Sequence, residues 1–248
     1  MSTQSTELLS VDPATIEQSL VAMWATLNQQ SSCGAVTRAA MSNLLIYCDG
    51  EEQARHAVEH VSEIVEGHPA RVLLLVAEAQ ADDELSARIA VHYRCISTAT
   101  QLCGEYVELH FDPRAMERAA SVVRSLLIGD LPTALWWFST TPPALSGAVF
   151  AALANMVHQI IYDSIGWLQP IRSVRGMARW INDGEQVVFN LVWRRLKPWR
   201  RILAQSLDPN VSPQALIGLQ RVELEHGPHA LPMAWLLIGW LAARLDWQ

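Results

Sequence analysis

The stretch RVLLLVAE, residues 71–78, decides the fold. Six consecutive apolar residues leave this segment without a polar face, which is typical of a strand that is covered on both sides. Such strands belong to parallel sheets with a layer of helices on each face. The stretch therefore predicts an α/β protein.

The flanking sequence continues the alternation of strands and helices. Strands are predicted at NLLIYC (43–48), PTALWWF (132–138) and VHQIIYDS (157–164), with helices at 51–67, 113–128 and 144–154. In RIAVHYRC (88–95) and YVELHF (106–111), apolar and polar residues alternate, which predicts an antiparallel hairpin with one solvated face. We expect a mixed, mostly parallel sheet with helices on both faces and one antiparallel hairpin excursion.

We predict three regions along the chain. Residues 1–40 form an N-terminal helix and linker, with Asp12 as the cap and Pro13 in the first turn. Residues 41–170 form the α/β core domain. Residues 171–248 form a helical segment rich in Arg and Trp, a strand at 216–224 and a closing helix at 231–246, packed on the core.

Net charge, the length of the apolar stretches and the cysteine content argue against some classes of function. The net charge of −7 argues against a nucleic-acid binder. The longest uncharged apolar stretch, residues 230–243, is shorter than the roughly 20 residues that span a bilayer, so no membrane role is expected. Four cysteines and an N-terminus without a secretory pattern favour a cytoplasmic protein.

Catalytic and cofactor motifs are missing from the sequence. None of the 12 glycines forms a GxG, so neither the dinucleotide fingerprint nor a phosphate loop is present, and GxSxG is absent too. His56 and His60 have metal-ligand spacing, but a solvated helix face is the favoured interpretation. Asp163 and Ser164 lie at the end of a predicted strand, where ligands gather, yet a helix cap or a turn is the favoured interpretation. We predict no catalytic, cofactor or metal site.

Two pairs of residues remain to be explained. Cys95 and Cys103 flank the turn of the predicted hairpin. Two unrelated thiols are the favoured interpretation, and a reversible redox pair is the alternative. Trp136 and Trp137 are neighbours in a predicted strand, so their side chains point to opposite faces. We expect them to be sheet core, one indole under each helical layer.

The most unusual segment is residues 172–201, which holds eight of the 18 basic residues of an acidic protein, with three interleaved tryptophans. Arginine with tryptophan is the composition of interface hot spots. A solvated helix face over core tryptophans, or an anion site, would also account for the segment. The candidate partner contacts are Trp193, Arg194, Arg195, Trp199, Arg200 and Arg201.

From residue 65 onward, the sequence resembles the glucose-6-phosphate dehydrogenase assembly protein family, OpcA. The resemblance rests on HPARVLLLVAE (68–78), LPTALWWF (131–138), VWRRLKPWRRILAQ (192–205) and AWLLIGWLAARL (234–245). Arg194 and Lys197 depart from the family pattern and make this segment unusually basic. Matching positions are Trp136, Trp137, Trp193, Arg195, Pro198, Trp199, Arg200, Gly239, Trp240 and Arg244.

The resemblance implies a non-catalytic cytoplasmic partner that assembles or allosterically activates glucose-6-phosphate dehydrogenase in the oxidative pentose phosphate pathway. It implies no cofactor of its own, and thioredoxin as a second candidate partner through redox regulation. Family members continue into a further C-terminal region, so a short form or a truncation is expected. The alternatives are an α/β enzyme or sensor of sugar phosphates and, third, a single-stranded nucleic-acid binder.

Overall fold

The computed structural model describes residues 4–30, 35–38, 40–79, 85–97, 100–184, 186–208, 210–211, 214 and 219–247. The strands are β1 (Gln4–Ser5), β2 (Leu9–Val11), β3 (Ala35–Arg38), β4 (Ser42–Cys48), β5 (Ala70–Ala77), β6 (Leu85–Ser97), β7 (Thr100–Phe111), β8 (Thr133–Phe138), β9 (Gln159–Tyr162) and β10 (Val187–Asn190). The helices are α1 (Ile16–Gln30), α2 (Glu51–Gly67), α3 (Met116–Leu126), α4 (Gly147–Ala154), α5 (Pro170–Asp183), α6 (Leu191–Arg195), α7 (Lys197–Ser206) and α8 (Leu231–Leu245).

The strands form one mixed sheet in the order β1-β6-β7-β5-β4-β8-β9-β10, with β2 paired to β6 and β3 paired to β7. The central neighbours β7, β5, β4 and β8 are parallel to one another. Strands β6 and β7 are antiparallel. The predicted fold class, a mostly parallel sheet with an antiparallel hairpin, is confirmed.

The chain divides into two compact units. Unit 1 comprises Met1–Ser139, Ser146–Ile160 and Glu185–Val187. Unit 2 comprises Thr140–Leu145, Ile161–Gly184 and Val188–Gln248, and it contains α5 to α8.

The core of unit 1 is built on the stretch that decides the fold. Every residue of β5 is buried, and β4 is buried from Asn43 to Cys48. Trp136 and Trp137 are also buried, as expected for sheet core. The Trp137 ring stacks on Tyr47 at 4.2 Å and meets Phe150 of α4 edge-on, while Trp136 lies near His60 of α2. Because neighbouring strand residues face opposite ways, α2 and α4 cover opposite faces of the sheet.

The predicted solvated face of the hairpin is wrong for β7. Tyr106 and Glu108 are buried and the His110 side chain is only 13% exposed, because α2 covers this face of β7: Val65 lies against Gly104, and Glu51 lies beside His110. The polar side chains satisfy one another, since Arg88 on β6 and His110 both donate to the Glu108 carboxylate. Burial alone would raise the pKa of Glu108, but these two partners bring it below its ordinary value.

A buried ion pair joins β5 to β7. Arg71 and Glu105 are each only 3% exposed, and Arg71 Nε donates to Glu105 Oε2 at 2.6 Å. The same guanidinium binds Glu17 of α1 and the backbone carbonyl of Leu126, the last residue of α3. Trp24 Nε1 donates to the other Glu105 oxygen at 2.9 Å. Burial would lower the pKa of Arg71, but Glu17 and Glu105 raise it above its ordinary value, so the buried guanidinium stays charged.

The C-terminal region differs from the prediction in one element. Residues 219–224 of the predicted strand 216–224 form no strand, and residues 216–218 lie outside the described part. The apolar residues that suggested the strand lie in different environments: Val222 is exposed, whereas Leu224 packs against α6 and α8. The closing helix is present as α8.

Replacing Trp137 by alanine should remove the aromatic stack at the centre of unit 1. We expect a loss of about 3–5 kcal/mol in the free energy of unfolding, because the cavity lies between packed rings. Chemical denaturation followed by circular dichroism measures it. Trp199→Ala, at a 57% exposed position, is the matched control and should cost under about 1 kcal/mol. Equal losses for the two variants would contradict this account of the core.

Replacing Arg71 by methionine should destabilise the protein by about 3–5 kcal/mol, because the Glu105 carboxylate would stay buried without the Arg71 charge. The double variant Arg71→Met/Glu105→Leu should recover part of that loss. Arg124→Met, on the exposed face of α3, is the control. The free energies of unfolding of Arg71→Met, Glu105→Leu and the double variant are measured by denaturant unfolding. If the losses of the two single variants add up to the loss of the double variant, the two residues are not coupled.

Candidate partner-binding surface

The basic segment of unit 2 is presented by two short helices, α6 and α7. Asn190 caps α6 by accepting a hydrogen bond from the Val192 backbone N–H at 3.0 Å. The Asn190 side chain is itself held by Ser164, whose Oγ accepts from Asn190 Nδ2 at 2.9 Å. Pro198 lies in the first turn of α7, where its missing N–H costs nothing.

Unit 2 has its own hydrophobic core, and this core fixes which side chains of α6 and α7 face outward. Val192, Leu196 and Leu237 are buried together, with Leu203, Leu224, Met233, Leu236 and Trp240 packed around them. Trp193 and Trp199 are not part of this core: they are 40% and 57% exposed. The interpretation of these two tryptophans as core side chains is therefore wrong.

Arg200 and Trp193 form a preorganised pair on this surface. The Arg200 guanidinium carbon lies 3.3 Å from the centre of the Trp193 ring, and its Nη1 donates to the Trp193 carbonyl at 2.8 Å. Desolvation against the ring lowers the pKa of Arg200, but a guanidinium remains charged at neutral pH. The pair displays a fixed cation on a rigid aromatic platform.

A groove runs beside Trp199. It has a volume of about 280 Å³ and is lined by Trp199, the loop residues 224–227 and one face of α8. Ile202, one turn further along α7, is 56% exposed. We call Trp193, Arg194, Trp199, Arg200, Arg201 and Ile202 the Arg/Trp surface. It combines aromatic rings, an aliphatic side chain and cations, and its Trp199 borders the apolar groove.

The other predicted contact residues differ in whether they already form an ion pair. Arg194 and Arg201 are exposed, and neither forms an ion pair with a residue in the described ranges. Arg195 instead donates to Asp163 Oδ2 at 2.6 Å. The second oxygen of Asp163 accepts from the Ile165 backbone N–H, which confirms the predicted turn. Asp163 is thus occupied by structural bonds.

A second concavity of unit 2 lies on α5. It has a volume of about 540 Å³, and its lining includes Arg172, Arg175 and Arg179, together with Leu145 and Leu231. These arginines follow one another at helical spacing, so they lie along one side of α5. None of the three forms an ion pair within the described part of the chain.

The structure does not bring the predicted histidine pair into a metal site. His56 and His60 are exposed on α2, in line with the favoured interpretation as a solvated face. Instead, Glu51, Glu78 and His110 converge at one edge of the unit 1 sheet. Sequence reasoning missed this cluster because its members are far apart in the chain. The available signal was that each lies at or near the carboxyl end of a predicted strand.

The cysteine pair stays a prediction. The side chains of Cys95 and Cys103 lie outside the described residues. The backbone register places Cys95 opposite Gln101 and Cys103 opposite Tyr93, so the two are not direct cross-strand partners. Cys48 is free and buried, and burial raises its pKa to about 12, which makes it a poor nucleophile.

Charge is distributed unevenly between the two units. The residues of unit 2 include ten basic and six acidic side chains, whereas the rest of the chain has eight basic and 19 acidic ones. Unit 2 is therefore cationic within an anionic protein.

No helix in the described ranges has both the length and the apolarity that crossing a membrane requires.

Unit 1 is thus built on a mixed α/β sheet, and unit 2 presents the exposed Arg/Trp surface. Two family models match the chain: the glucose-6-phosphate dehydrogenase subunit N-terminal domain at residues 61–179 and the corresponding C-terminal domain at residues 186–248. Together they cover most of the chain, and the chain belongs to this family, OpcA.

Curated relatives carry the same family name. The chain is 30% identical over 188 residues to the putative OxPP cycle protein OpcA of Nostoc punctiforme, an alignment that covers 75% of this chain and 40% of the relative. The Synechocystis sp. protein of that name is 29% identical over 188 residues, covering 74% and 38%. The Synechococcus elongatus protein is 28% identical over 183 residues, covering 73% and 40%. The chain thus spans about two fifths of the length of these relatives.

Removing the cap of α6 should loosen the Arg/Trp surface without disturbing unit 1. We expect Asn190→Ala to cost about 1 kcal/mol of stability, since the Val192 N–H and Ser164 both lose a partner. Hydrogen exchange should rise in α6 and stay unchanged in β4 and β5. Asn155→Ala, next to α4, is the control. Unchanged protection of α6 in Asn190→Ala would contradict the capping role.

Proposed function

We propose that this protein is a non-catalytic partner that assembles or allosterically activates glucose-6-phosphate dehydrogenase in the oxidative pentose phosphate pathway. The observation that carries the proposal is the exposed Arg/Trp surface in a chain that belongs to the OpcA family. The sequence also lacks the clustered glycines that a dinucleotide site needs. The dehydrogenase would supply the cofactor and substrate sites.

The mechanism is differential binding to two states of the enzyme. A partner shifts an assembly equilibrium only to the extent that it binds one state more tightly than the other. Glucose-6-phosphate dehydrogenase would be drawn towards its active oligomer if that oligomer alone presents the complete surface for this protein. The coupling is reciprocal, so active oligomer should bind this protein more tightly than dissociated enzyme does.

The Arg/Trp surface is the proposed contact. Trp199 and Trp193 offer large rigid rings that lose little conformational entropy on binding, and hot spots are enriched in tryptophan and arginine. The cations around them favour an acidic face on the enzyme. Arg194 and Arg201 are available for new ion pairs, whereas Arg195 contributes by bracing Asp163.

The proposal predicts that Trp199→Ala weakens binding of the dehydrogenase by about 30-fold, the effect of a hot spot worth about 2 kcal/mol. Arg194→Glu/Arg201→Glu should weaken it by about tenfold or more and reduce its salt dependence. Titration of each variant into dehydrogenase from the same organism measures the dissociation constant, the initial rate and the mass of the oligomer.

The control variant is Arg55→Glu/Arg124→Glu, which reverses two exposed arginines on helices of unit 1. It should bind like the unaltered protein. Wild-type affinity in the Trp199 and Arg194/Arg201 variants would remove the Arg/Trp surface from the interface. Absence of binding by the unaltered protein would contradict the proposed function itself.

We also propose a cytoplasmic location, and thioredoxin as a second partner that would act on Cys95 and Cys103. The same titration with and without dithiothreitol tests the redox part. A dithiothreitol effect that Cys95→Ser/Cys103→Ser removes would support it, and one that persists in this variant would assign the effect to another thiol.

A second candidate function rests on the arginine-lined concavity of α5. Three guanidinium groups beside apolar side chains suit an anionic small molecule such as a sugar phosphate. A thermal shift of the isolated protein with glucose 6-phosphate or NADP, lost in Arg175→Gln/Arg179→Gln, would favour this function. A shift that survives in the double variant would exclude this concavity.

A further inference from the structure

Glu51, Glu78 and His110 are brought together at the carboxyl edge of the parallel strands of unit 1. Strand β4 ends at Cys48, and Glu51 opens α2 three residues later, after Gly50 with a φ of 132°. Glu78 directly follows β5, and its backbone N–H donates to the Phe111 carbonyl at the end of β7. His110 lies one residue before that end. This edge of an α/β sheet is where ligands bind.

The distances between the three side chains leave room for a cation. His110 Nδ1 lies 3.8 Å from Glu51 Oε2 and 3.7 Å from Glu78 Oε2, and all three ligand atoms lie within 4.8 Å of one another. These separations are too long for hydrogen bonds. A metal ion bound at about 2.1 Å from each atom holds its ligands roughly 3–4 Å apart.

The imidazole is oriented for this role by a second layer of contacts. His110 Nε2 donates to Glu108 Oε1, which turns Nδ1 towards Glu51 and Glu78. Glu108 is buried and also accepts hydrogen bonds from Arg88 and, at 3.4 Å, from the Tyr106 hydroxyl. A carboxylate on the far nitrogen of a histidine is the usual support of a metal-ligating imidazole.

The site is accessible from solvent on one side. The His110 side chain is 13% exposed, while the Glu51 and Glu78 side chains are 52% and 34% exposed. A cation could therefore enter between the carboxylates while the imidazole stays fixed in the sheet. Water would complete its coordination.

We propose that Glu51, Glu78 and His110 bind a divalent transition-metal ion of the zinc class. One imidazole nitrogen with two carboxylate oxygens is a zinc-type donor set, whereas magnesium and calcium prefer oxygen alone. The ion would tie the start of α2 to the ends of β5 and β7. It would be a structural site of unit 1, independent of the Arg/Trp surface.

The full chain, freed of metal with EDTA and dialysed, is titrated with Zn²⁺ by calorimetry and with Co²⁺ by visible absorption. We expect one equivalent of Zn²⁺, a higher melting temperature with Zn²⁺ than with EDTA, and Co²⁺ bands that Zn²⁺ abolishes. His110→Gln should abolish these signals. Glu78→Gln, at the exposed rim, should weaken Zn²⁺ binding at least tenfold. Glu108→Gln should weaken it by about 10–100-fold.

The matched control is His56→Gln/His60→Gln, which removes an exposed histidine pair with metal-ligand spacing on α2. It should leave Zn²⁺ binding unchanged. The proposal is overturned if the unaltered chain binds no Zn²⁺, if the control variant abolishes binding, or if Glu78→Gln binds like the unaltered chain. Because Glu78 is at the rim, its variant stays informative even if His110→Gln does not fold.

Discussion

The ion pair between Arg71 and Glu105 is the constraint on which unit 1 depends. An arginine at the start of the most buried strand would be intolerable without compensation, because desolvating a guanidinium costs several kcal/mol. Compensation comes from β7 through Glu105, from α1 through Glu17, and from α3 through the Leu126 carbonyl. The same charge therefore fixes one strand neighbour and two helices in place, and it does so with directional bonds that apolar packing alone does not supply.

With β5 and β7 held in register, the opposite end of the same strands is fixed as well. Glu78 and His110 follow from that register, since each lies at the carboxyl end of its strand. Polar groups on β7 are stable when buried because they are paired: Glu105 with Arg71 of β5, and Glu108 with Arg88 of β6 and with His110 of β7 itself. A sheet that is apolar through its middle is thus pinned by charges at both ends.

Much of the fold of unit 1 could be predicted from the sequence, because its signals are local. The apolar run of β5, the amphipathic pattern of α2 and the Asp12 cap depend on neighbouring residues alone. The alternation of polar and apolar residues in β7 led to a wrong prediction, since the burial of a strand's face depends on whether a helix packs on it, and here α2 does. The Arg/Trp surface was visible as composition, but which tryptophans face outward depends on the packing of α8 against α6. The cluster around His110 was invisible because its residues meet only through the order of the strands.

Lys197 is the one lysine among the 18 basic residues of the sequence, and on unit 2 the use of arginine has a physical consequence. A lysine in place of Arg200 could not lie flat on the Trp193 ring and donate to its carbonyl at the same time. Fixing the guanidinium in this way removes rotamer freedom before any partner arrives, so less entropy is lost on binding. Unit 2 is cationic while the rest of the chain is anionic, so an acidic partner is attracted to one part of the chain and repelled by the other. Charge would therefore select the binding surface and orient the partner, and the exposed rings of Trp193 and Trp199 would supply the apolar contact that holds it there.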